Sequence, residues 1–245
     1  NQSAGVAWWL GELAGAQTVD LEIPRLTGFQ RFLSCKIQAG RLRHGRSGDC
    51  LKWLKAADPS GMFASATGKM RSAGARADEV LFLSAGSSGA PFCLALARAT
   101  GGKCACIMTP SVLGTEPFDF SIVPEHDFPR PSSNLLVTLG APNMIREELL
   151  KEEGSLLLSR FSSGSEKRWG LLIGGDDANY TIPPSWVDEV LVPLLEEAKD
   201  RGADLFMTTS RRTLPETEER IEKITKGSPN VRMLNGTWKF NYVDK

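Results

Sequence analysis

The sequence predicts an α/β fold with two Rossmann-like domains, each a doubly wound parallel sheet. Short apolar runs alternate with helical patterns, as in VLFLSAG (80–86), APFCLALARAT (90–100) and KCACIMTP (103–110). The same alternation returns in residues 169–234, after a polar stretch. Because strands that alternate with helices form parallel sheets covered on both faces, these two series indicate two sheets.

The composition is that of an ordinary globular protein of 245 residues. Its 29 basic and 29 acidic side chains cancel, which argues against a general nucleic-acid binder. Five cysteines without a CxxC pair indicate reduced thiols, mostly in the core, and we predict no metal site. The sequence shows no signal peptide and no apolar run of the roughly 18 residues that a membrane span needs. We therefore expect a cytoplasmic protein.

The chain is predicted to open with a helix and a short strand. Ser3 can cap a helix that ends at Gly15. Residues 17–23 are predicted to form a short strand that Pro24 stops. Because an α/β domain normally opens with a strand, we expect a further strand and a glycine-rich loop before Asn1.

Residues 25–48 carry the most uneven charge of the chain, with six basic side chains and no acidic one. Apolar residues recur within this segment at helical spacing: Phe29, Phe32, Leu33 and Ile37. A helix with this pattern could lie on an anionic membrane surface or face an anionic acceptor. The alternative is an ordinary core-facing helix followed by a basic loop, and the sequence leaves both open.

The rest of the first domain is predicted to contain helices and parallel strands. In chain order they are a helix ending near Asp58, a strand (80–86), a turn (87–89), a helix (90–100), three strands (103–110, 118–123 and 135–139) and a helix beginning within 141–151. We assign residues 1–160 to an N-terminal, acceptor-side domain and residues 161–168 to a polar linker.

Residues 169–245 are predicted to form part of a second, donor-side domain. Its elements are a strand at 169–173, a Gly-Gly loop, a helix capped by Ser185 and Asp188 with Pro193 inside it, a strand at 205–209, a helix capped by Thr213 and Glu216, and a strand at 231–234. The segment is short for a complete doubly wound lobe, so we expect more sheet after Lys245.

The loops that follow the first two strands of this second domain carry groups that suit an anion. Parallel strands end at the same edge of a sheet, so both loops should face one crevice. Gly174 and Gly175 let the backbone approach a bulky anion, and the guanidinium groups of Arg211 and Arg212 can pair with phosphate. The sequence therefore suggests a nucleotide or phosphosugar site. Alternatively, Gly-Gly is only a turn and the arginines are solvated or paired with Glu216 and Glu219.

Four stretches resemble one known family. FDFSIVPEHD (118–127), NLLVTLGAPN (134–143), LLIGGDDANY (171–180) and LFMTTSRRT (205–213) look like the motifs of the family of the plant mitochondrial-fission factor Elm and its bacterial relatives. The resemblance covers most of the chain from about Leu81. It implies a GT-B-like fold of two facing lobes, with a distant similarity to lipopolysaccharide-type glycosyltransferases.

A GT-B-like transferase would use a nucleotide-sugar donor and a lipid or glycan acceptor, with no metal or other cofactor. We predict that the diphosphate lies across Gly174-Gly175 and the Ser210 to Thr213 loop, where backbone N–H groups and Arg211 or Arg212 stabilise its charge. The side chains predicted to bond sugar or acceptor hydroxyls are Asp176, Asn179 and Tyr180. The candidates for a general base are Glu125, His126 and Asp127.

Two readings of the sequence compete with this one. His126 beside two acids can be part of a structural hydrogen-bond network instead of a catalytic base. The whole chain can also be a non-catalytic interaction protein, peripheral on the inner surface of a membrane through residues 25–48. An enzyme with bound NAD is disfavoured, because no GxGxxG sequence follows a predicted strand.

Overall fold

The computed structural model describes residues 2–24, 29, 39–58, 61–161, 164–176 and 179–234, and it confirms the α/β fold. Two parallel sheets are present in this part of the chain, one with four strands and one with three. The contacts divide the chain into two compact units, unit 1 (Asn1–Arg146) and unit 2 (Glu147–Lys245). The predicted linker at 161–168 lies in unit 2, and the predicted limits of the two domains stay a prediction.

Unit 1 is built from helices and a parallel sheet of order β1-β2-β3-β4. Its elements are α1 (Gln2–Ala14), α2 (Ala39–Leu42), α3 (Ser47–Ala57), α4 (Met62–Ser72), β1 (Leu81–Ala85), α5 (Gly86–Thr100), β2 (Lys103–Ile107), β3 (Phe120–Pro124) and β4 (Leu135–Thr138). The four predicted strands from residue 80 onward are therefore confirmed. The register sets Phe82 beside Cys104 and Ser121 beside Leu135.

The core of unit 1 surrounds α5. Every residue from Gly89 to Ala97 is buried, as expected for a helix that is apolar on all sides. Trp53 of α3 packs on Phe92 with ring centroids 5.0 Å apart. Residues 87–89 are the first turn of this helix, so the predicted separate turn is wrong. Gly86, with φ at +74°, redirects the chain directly after β1 and lets the helix begin there.

Four of the five cysteines lie among the described residues, and all four are free and buried, as predicted. Burial raises the pKa of Cys104 to about 11 and that of Cys106 to about 12. It also raises the pKa of Cys93, whose Sγ donates to the Phe82 carbonyl at 3.2 Å. These thiols are protonated near neutral pH and serve as core side chains instead of nucleophiles.

Residues 17–23 have no regular structure, so the predicted strand is wrong. The Lys69 ammonium donates to the Asp20 carbonyl at 2.6 Å, and Leu21 packs against the core of unit 1. Val19 and Ile23, the other two apolar residues among the alternating positions 19, 21 and 23, are exposed. The segment is held by single side-chain contacts, whereas a strand needs a ladder of backbone partners.

The helix predicted to begin within 141–151 does so at Glu147, and it is α6 (Glu147–Arg160) of unit 2. The backbone of Asn143 lies against Gly5 of α1, and its side-chain Oδ1 accepts the Ile145 N–H at 2.8 Å. The Arg146 guanidinium lies 4.5 Å from the centre of the Trp8 ring. Contacts with α1 thus keep residues 141–146 out of the helix.

Replacing Gly5 with alanine tests this packing. The new Cβ would lie 2.6 Å from the Asn143 carbonyl carbon, closer than atoms approach without displacement. Overpacking of this kind costs about 1 to 3 kcal/mol, partly offset by the better helix propensity of alanine, so we expect a net loss of about 1 to 2 kcal/mol.

The matched control for this test is Gly11→Ala in the same helix. Its Cβ would meet only the Ala16 carbonyl at 3.5 Å, an ordinary contact, so stability should stay the same or rise. Urea unfolding of both variants gives the answer. If the Gly5→Ala protein is as stable as the Gly11→Ala protein, α1 does not pack closely on residues 141–146.

Unit 2 holds α6 and a parallel sheet of order β5-β6-β7. Its remaining elements are β5 (Arg168–Leu172), α7 (Pro184–Trp186), a π-helical turn (Val187–Leu191), α8 (Val192–Asp200), β6 (Asp204–Thr208), α9 (Pro215–Thr225) and β7 (Val231–Met233). One face of β6 packs on the helices through Leu205 and Met207. On the other face Phe206 meets Phe161, with ring centroids 6.4 Å apart.

Pro193 produces the π-helical turn that precedes it. Proline lacks an N–H, and its ring clashes with the carbonyl four residues earlier, so the helix widens to a π turn. The predicted cap at Ser185 is wrong, because the helix begins one residue earlier at Pro184. Asp188 pairs instead with Arg220 of α9, at 2.6 Å between Oδ1 and Nη2.

Candidate functional site

The loop after β5 and the loop after β6 lie side by side at the carboxyl ends of the unit 2 strands. The Ile173 N–H donates to the Thr208 carbonyl at 2.9 Å and extends the ladder past the end of β5. The two loops border one cavity of about 700 Å³. It is lined by Leu172, Ile173, Gly174, Thr208, Thr209, Ser210, Arg211 and Arg212. The prediction that both loops face a single crevice is confirmed, and the ligand remains a prediction.

Gly175 permits the closest approach between the two loops. A Cβ at this position would lie 2.1 Å from the Arg212 carbonyl carbon and 2.4 Å from the Thr213 nitrogen. Next to it, the Asp176 N–H donates to the Arg212 carbonyl at 2.9 Å. The backbone segments therefore touch without an intervening side chain. Only glycine satisfies this packing, so the role of the second glycine is contact with the neighbouring loop.

Thr213 bonds to both loops with one hydroxyl group. Its Oγ1 donates to the Gly174 carbonyl at 2.7 Å and accepts the Ser210 N–H at 2.9 Å. The side chain is almost fully buried, with 8% exposed. The predicted cap formed by Thr213 and Glu216 is wrong, because Leu214 stands at the N-cap of α9 and Pro215 opens the helix. Pro215 has no N–H to be capped, which leaves the Thr213 hydroxyl to the loops.

Asp176 organises the segment that follows the Gly-Gly loop. One carboxylate oxygen accepts the Thr181 hydroxyl at 2.7 Å, and the other accepts the Ile182 N–H at 3.1 Å. Asn179 and Tyr180 lie between these residues, with the Tyr180 side chain 76% exposed. The Asp176 carboxylate is thus engaged in holding its own loop. Hydrogen bonds between sugar or acceptor hydroxyls and the side chains of Asp176, Asn179 and Tyr180 stay a prediction.

The two arginines lie at the exposed wall of the cavity. The backbone N–H of Arg212 donates to the Ser210 Oγ at 3.2 Å. This bond holds the backbone of Arg212 and does not involve its guanidinium group. Within the described ranges, Arg212 makes no ion pair with Glu216 or Glu219. The alternative in which Arg212 pairs with Glu216 or Glu219 is therefore not supported.

Glu125, His126 and Asp127 form a 3-10 turn directly after β3 in unit 1. The structure places them together and exposed at the carboxyl end of that strand. His126 Nε2 lies 3.8 Å from Asp127 Oδ1, too far for a direct hydrogen bond. Phe128, which follows, has φ at +47°. The turn thus presents two carboxylates and an imidazole to solvent. A catalytic role for these three residues stays a prediction.

Several contributors to the cavity were missed from the sequence. Thr208 and Thr209 also line it, and the Thr209 hydroxyl donates to Glu218 Oε1 of α9 at 2.8 Å. The Thr217 hydroxyl donates to the Ile182 carbonyl at 2.7 Å and ties α9 to the loop after Asp176. The two threonines stand directly before Ser210, so extending the candidate loop backwards by two residues would have included them.

Among the described residues, no group of three or more histidine, cysteine, aspartate or glutamate side chains is arranged to hold a metal ion. In that same part of the chain, no helix combines the length and apolar character needed to cross a membrane.

Comparison with known protein families finds one match. The family model described as mitochondrial fission ELM1 matches residues 1–244. No curated protein and no solved structure matches the chain.

Proposed function

Because the chain belongs to the mitochondrial fission ELM1 family, we propose that it is a GT-B-type glycosyltransferase with a nucleotide-sugar donor. The cavity at the carboxyl ends of β5 and β6 carries this proposal. It combines a close backbone turn, hydroxyl groups, two arginines and the exposed side chain of Leu172. A nucleotide needs this combination, because its phosphates are anionic, its sugar carries hydroxyls and its base is flat and largely apolar.

In the proposed reaction, the sugar is transferred to a hydroxyl of a lipid or glycan acceptor. The bond between the anomeric carbon and the diphosphate breaks, and the leaving diphosphate takes the negative charge. Arg212, with Arg211 and the backbone of the Gly174-Gly175 loop, stabilises this charge, so no metal ion or other cofactor is required. Such stabilisation is stronger in a site with few water molecules.

The acceptor hydroxyl must lose a proton as the new bond forms. Glu125, His126 and Asp127 stay the candidates for the general base, and His126 is the one to test because an imidazole nitrogen can accept the proton of a hydroxyl group. His126→Asn should lower turnover while the affinity for the donor stays the same. Loss of donor affinity without loss of turnover would exclude His126 from this role.

Arg212→Ala should weaken the binding of a nucleotide sugar. A lost hydrogen bond between charged groups costs about 1.5 to 3 kcal/mol, equivalent to about 10- to 100-fold in affinity. Arg211→Ala is expected to act in the same direction. Calorimetric titration of uridine- and guanosine-diphosphate sugars into the full chain measures the effect.

The control for these titrations is Arg168→Ala. Arg168 is exposed at the amino end of β5, away from the cavity, and its removal changes the net charge by the same amount. Its affinity should match that of the unmodified protein. Equal affinities in all four proteins would remove the arginines from the site, and no binding to the unmodified full chain would refute the transferase proposal.

The family description favours a second candidate, a non-catalytic interaction protein that lies in the cytoplasm and on the inner surface of a membrane. The segment proposed to bind the membrane, residues 25–48, lies mostly outside the described residues. Within it, Phe29 is exposed, and Arg43 pairs with Glu116 at 3.1 Å. One of the six basic side chains is therefore already neutralised by a partner in unit 1.

Sedimentation with liposomes tests this second candidate. Binding should require anionic lipid and should fall as salt rises from about 0.05 to 0.5 M, because salt screens surface charges. Substitution of Arg25 and Arg31 with glutamine should reduce binding, while Arg168→Gln should not. Binding that ignores lipid charge and salt would exclude an electrostatic membrane contact.

A further inference from the structure

Thr213 closes the turn that carries both arginines. Its N–H donates to the Ser210 carbonyl at 3.0 Å, and its Oγ1 accepts the Ser210 N–H at 2.9 Å. The two ends of this four-residue turn are thus bonded in both directions. Its central residues are Arg211 and Arg212. Two closing bonds confine the central residues to one backbone conformation, whereas many turns have one closing bond or none.

The same hydroxyl holds this turn against the neighbouring loop. A threonine hydroxyl has one proton to donate, and Thr213 donates it to the Gly174 carbonyl at 2.7 Å. The Arg212 carbonyl accepts the Asp176 N–H at 2.9 Å and adds a second link between the loops. Thr213 is buried and is not one of the residues that line the cavity.

We infer that Thr213 is a positioning residue, whose hydroxyl holds Arg212 at the cavity wall in the orientation that a nucleoside diphosphate requires. This inference rests on the proposed function. A guanidinium that is already placed loses little conformational freedom when the phosphate arrives, so more of the interaction appears as affinity. Without the hydroxyl, the turn must be ordered during binding.

The test compares Thr213→Val, which keeps the shape of the side chain, with Thr213→Ser, which keeps the hydroxyl. Uridine diphosphate and guanosine diphosphate are titrated into the full chain by calorimetry. Thr213→Val removes both hydrogen bonds of the hydroxyl group, and the variant should bind the diphosphates about tenfold more weakly than the unmodified protein. Thr213→Ser should restore the affinity to within about threefold of the unmodified protein, since both bonds can re-form.

A double variant separates positioning from general destabilisation. If Thr213 acts through Arg212, Thr213→Val should have less than about a threefold effect in the Arg212→Ala protein, because coupled residues are not additive. A full tenfold effect in that background would overturn the inference. So would a serine variant as weak as the valine variant. Thr213→Ala replaces Thr213→Val if the latter does not fold.

Amide hydrogen exchange keeps the inference distinct from the proposed function. Thr213→Val should accelerate exchange at Asp176 and at Arg212 in the protein without nucleotide, whereas Thr213→Ser should not. Unchanged exchange at both amides would overturn the positioning role, whatever the protein binds. If the unmodified protein binds neither diphosphate, the proposed function is refuted. A nucleotide is then also excluded as the ligand of Arg212.

Discussion

Gly175→Ala is expected to separate the two loops of the cavity and to abolish measurable nucleotide binding. The added Cβ would lie 2.1 Å from the Arg212 carbonyl carbon and 2.5 Å from its oxygen. These are backbone atoms, so no side-chain rotation can relieve the contact. The loops must move apart by more than 1 Å, roughly the shortfall from a normal carbon–carbon contact of about 3.5 Å.

That movement breaks the bonds that join the loops. The Asp176 N–H loses the Arg212 carbonyl, and the Thr213 hydroxyl loses the Gly174 carbonyl. Overpacking costs about 1 to 3 kcal/mol and each lost hydrogen bond about 1 kcal/mol, so we expect a loss of about 3 kcal/mol in the free energy of unfolding. Urea unfolding measures the stability, and calorimetry with a nucleotide sugar measures the binding.

Gly174→Ala is the matched control, one residue earlier in the same loop. Its Cβ would meet only the Ile182 side chain, at an ordinary distance of 3.7 Å. We expect a stability within about 1 kcal/mol of the unmodified protein, since surface substitutions without a clash have small effects. If both alanine variants behave alike, the close approach at Gly175 does not hold the loops together.

Arg98→Met is expected to destabilise unit 1 by about 3 kcal/mol or more, because it removes several charged hydrogen bonds at once. The Arg98 guanidinium, on α5, donates to the carbonyls of Leu42, Arg43 and Gly45. These carbonyls form the turn that follows α2. Arg98 is partly buried, so the three oxygens would lose a donor where water replaces it poorly.

Two further variants serve as comparisons for Arg98→Met. Arg98→Lys keeps the charge but offers an ammonium instead of a planar fork, and it should fall between the arginine and methionine proteins. Arg43→Met removes the ion pair with Glu116, which is exposed on both sides and should contribute less than about 1 kcal/mol. Unfolding followed by circular dichroism measures all three. An Arg98→Met protein as stable as Arg43→Met would show that the turn does not depend on Arg98.

The parallel sheets could be predicted because their pattern is local. A run such as LFLSA, followed by a helical pattern and closed by Gly101, carries its signal within about 20 residues. The position of Arg211 and Arg212 near the Gly-Gly loop also follows, since parallel strands end at one edge. In both cases the physical cause lies in the periodicity of adjacent residues.

The errors fall where a distant partner decides the local structure. Residues 17–23 alternate apolar and polar residues like a strand, but they have no neighbouring strand with which to form a ladder of backbone hydrogen bonds. Thr213 has the spacing of a helix cap, yet its hydroxyl bonds Gly174, 39 residues earlier. Arg98 likewise holds a turn more than 50 residues before it. No local pattern contains this information.

The sequence by itself determined the two parallel sheets, the strands and main helices, and the pair of loops that border the cavity. The tertiary structure alone decided how those loops are joined: why Gly175 must be glycine, what the Thr213 hydroxyl does, and that Thr208 and Thr209 also line the cavity. The physical reason is that periodicity fixes which face of a segment is buried, whereas a hydrogen bond or a close contact depends on the position of both partners.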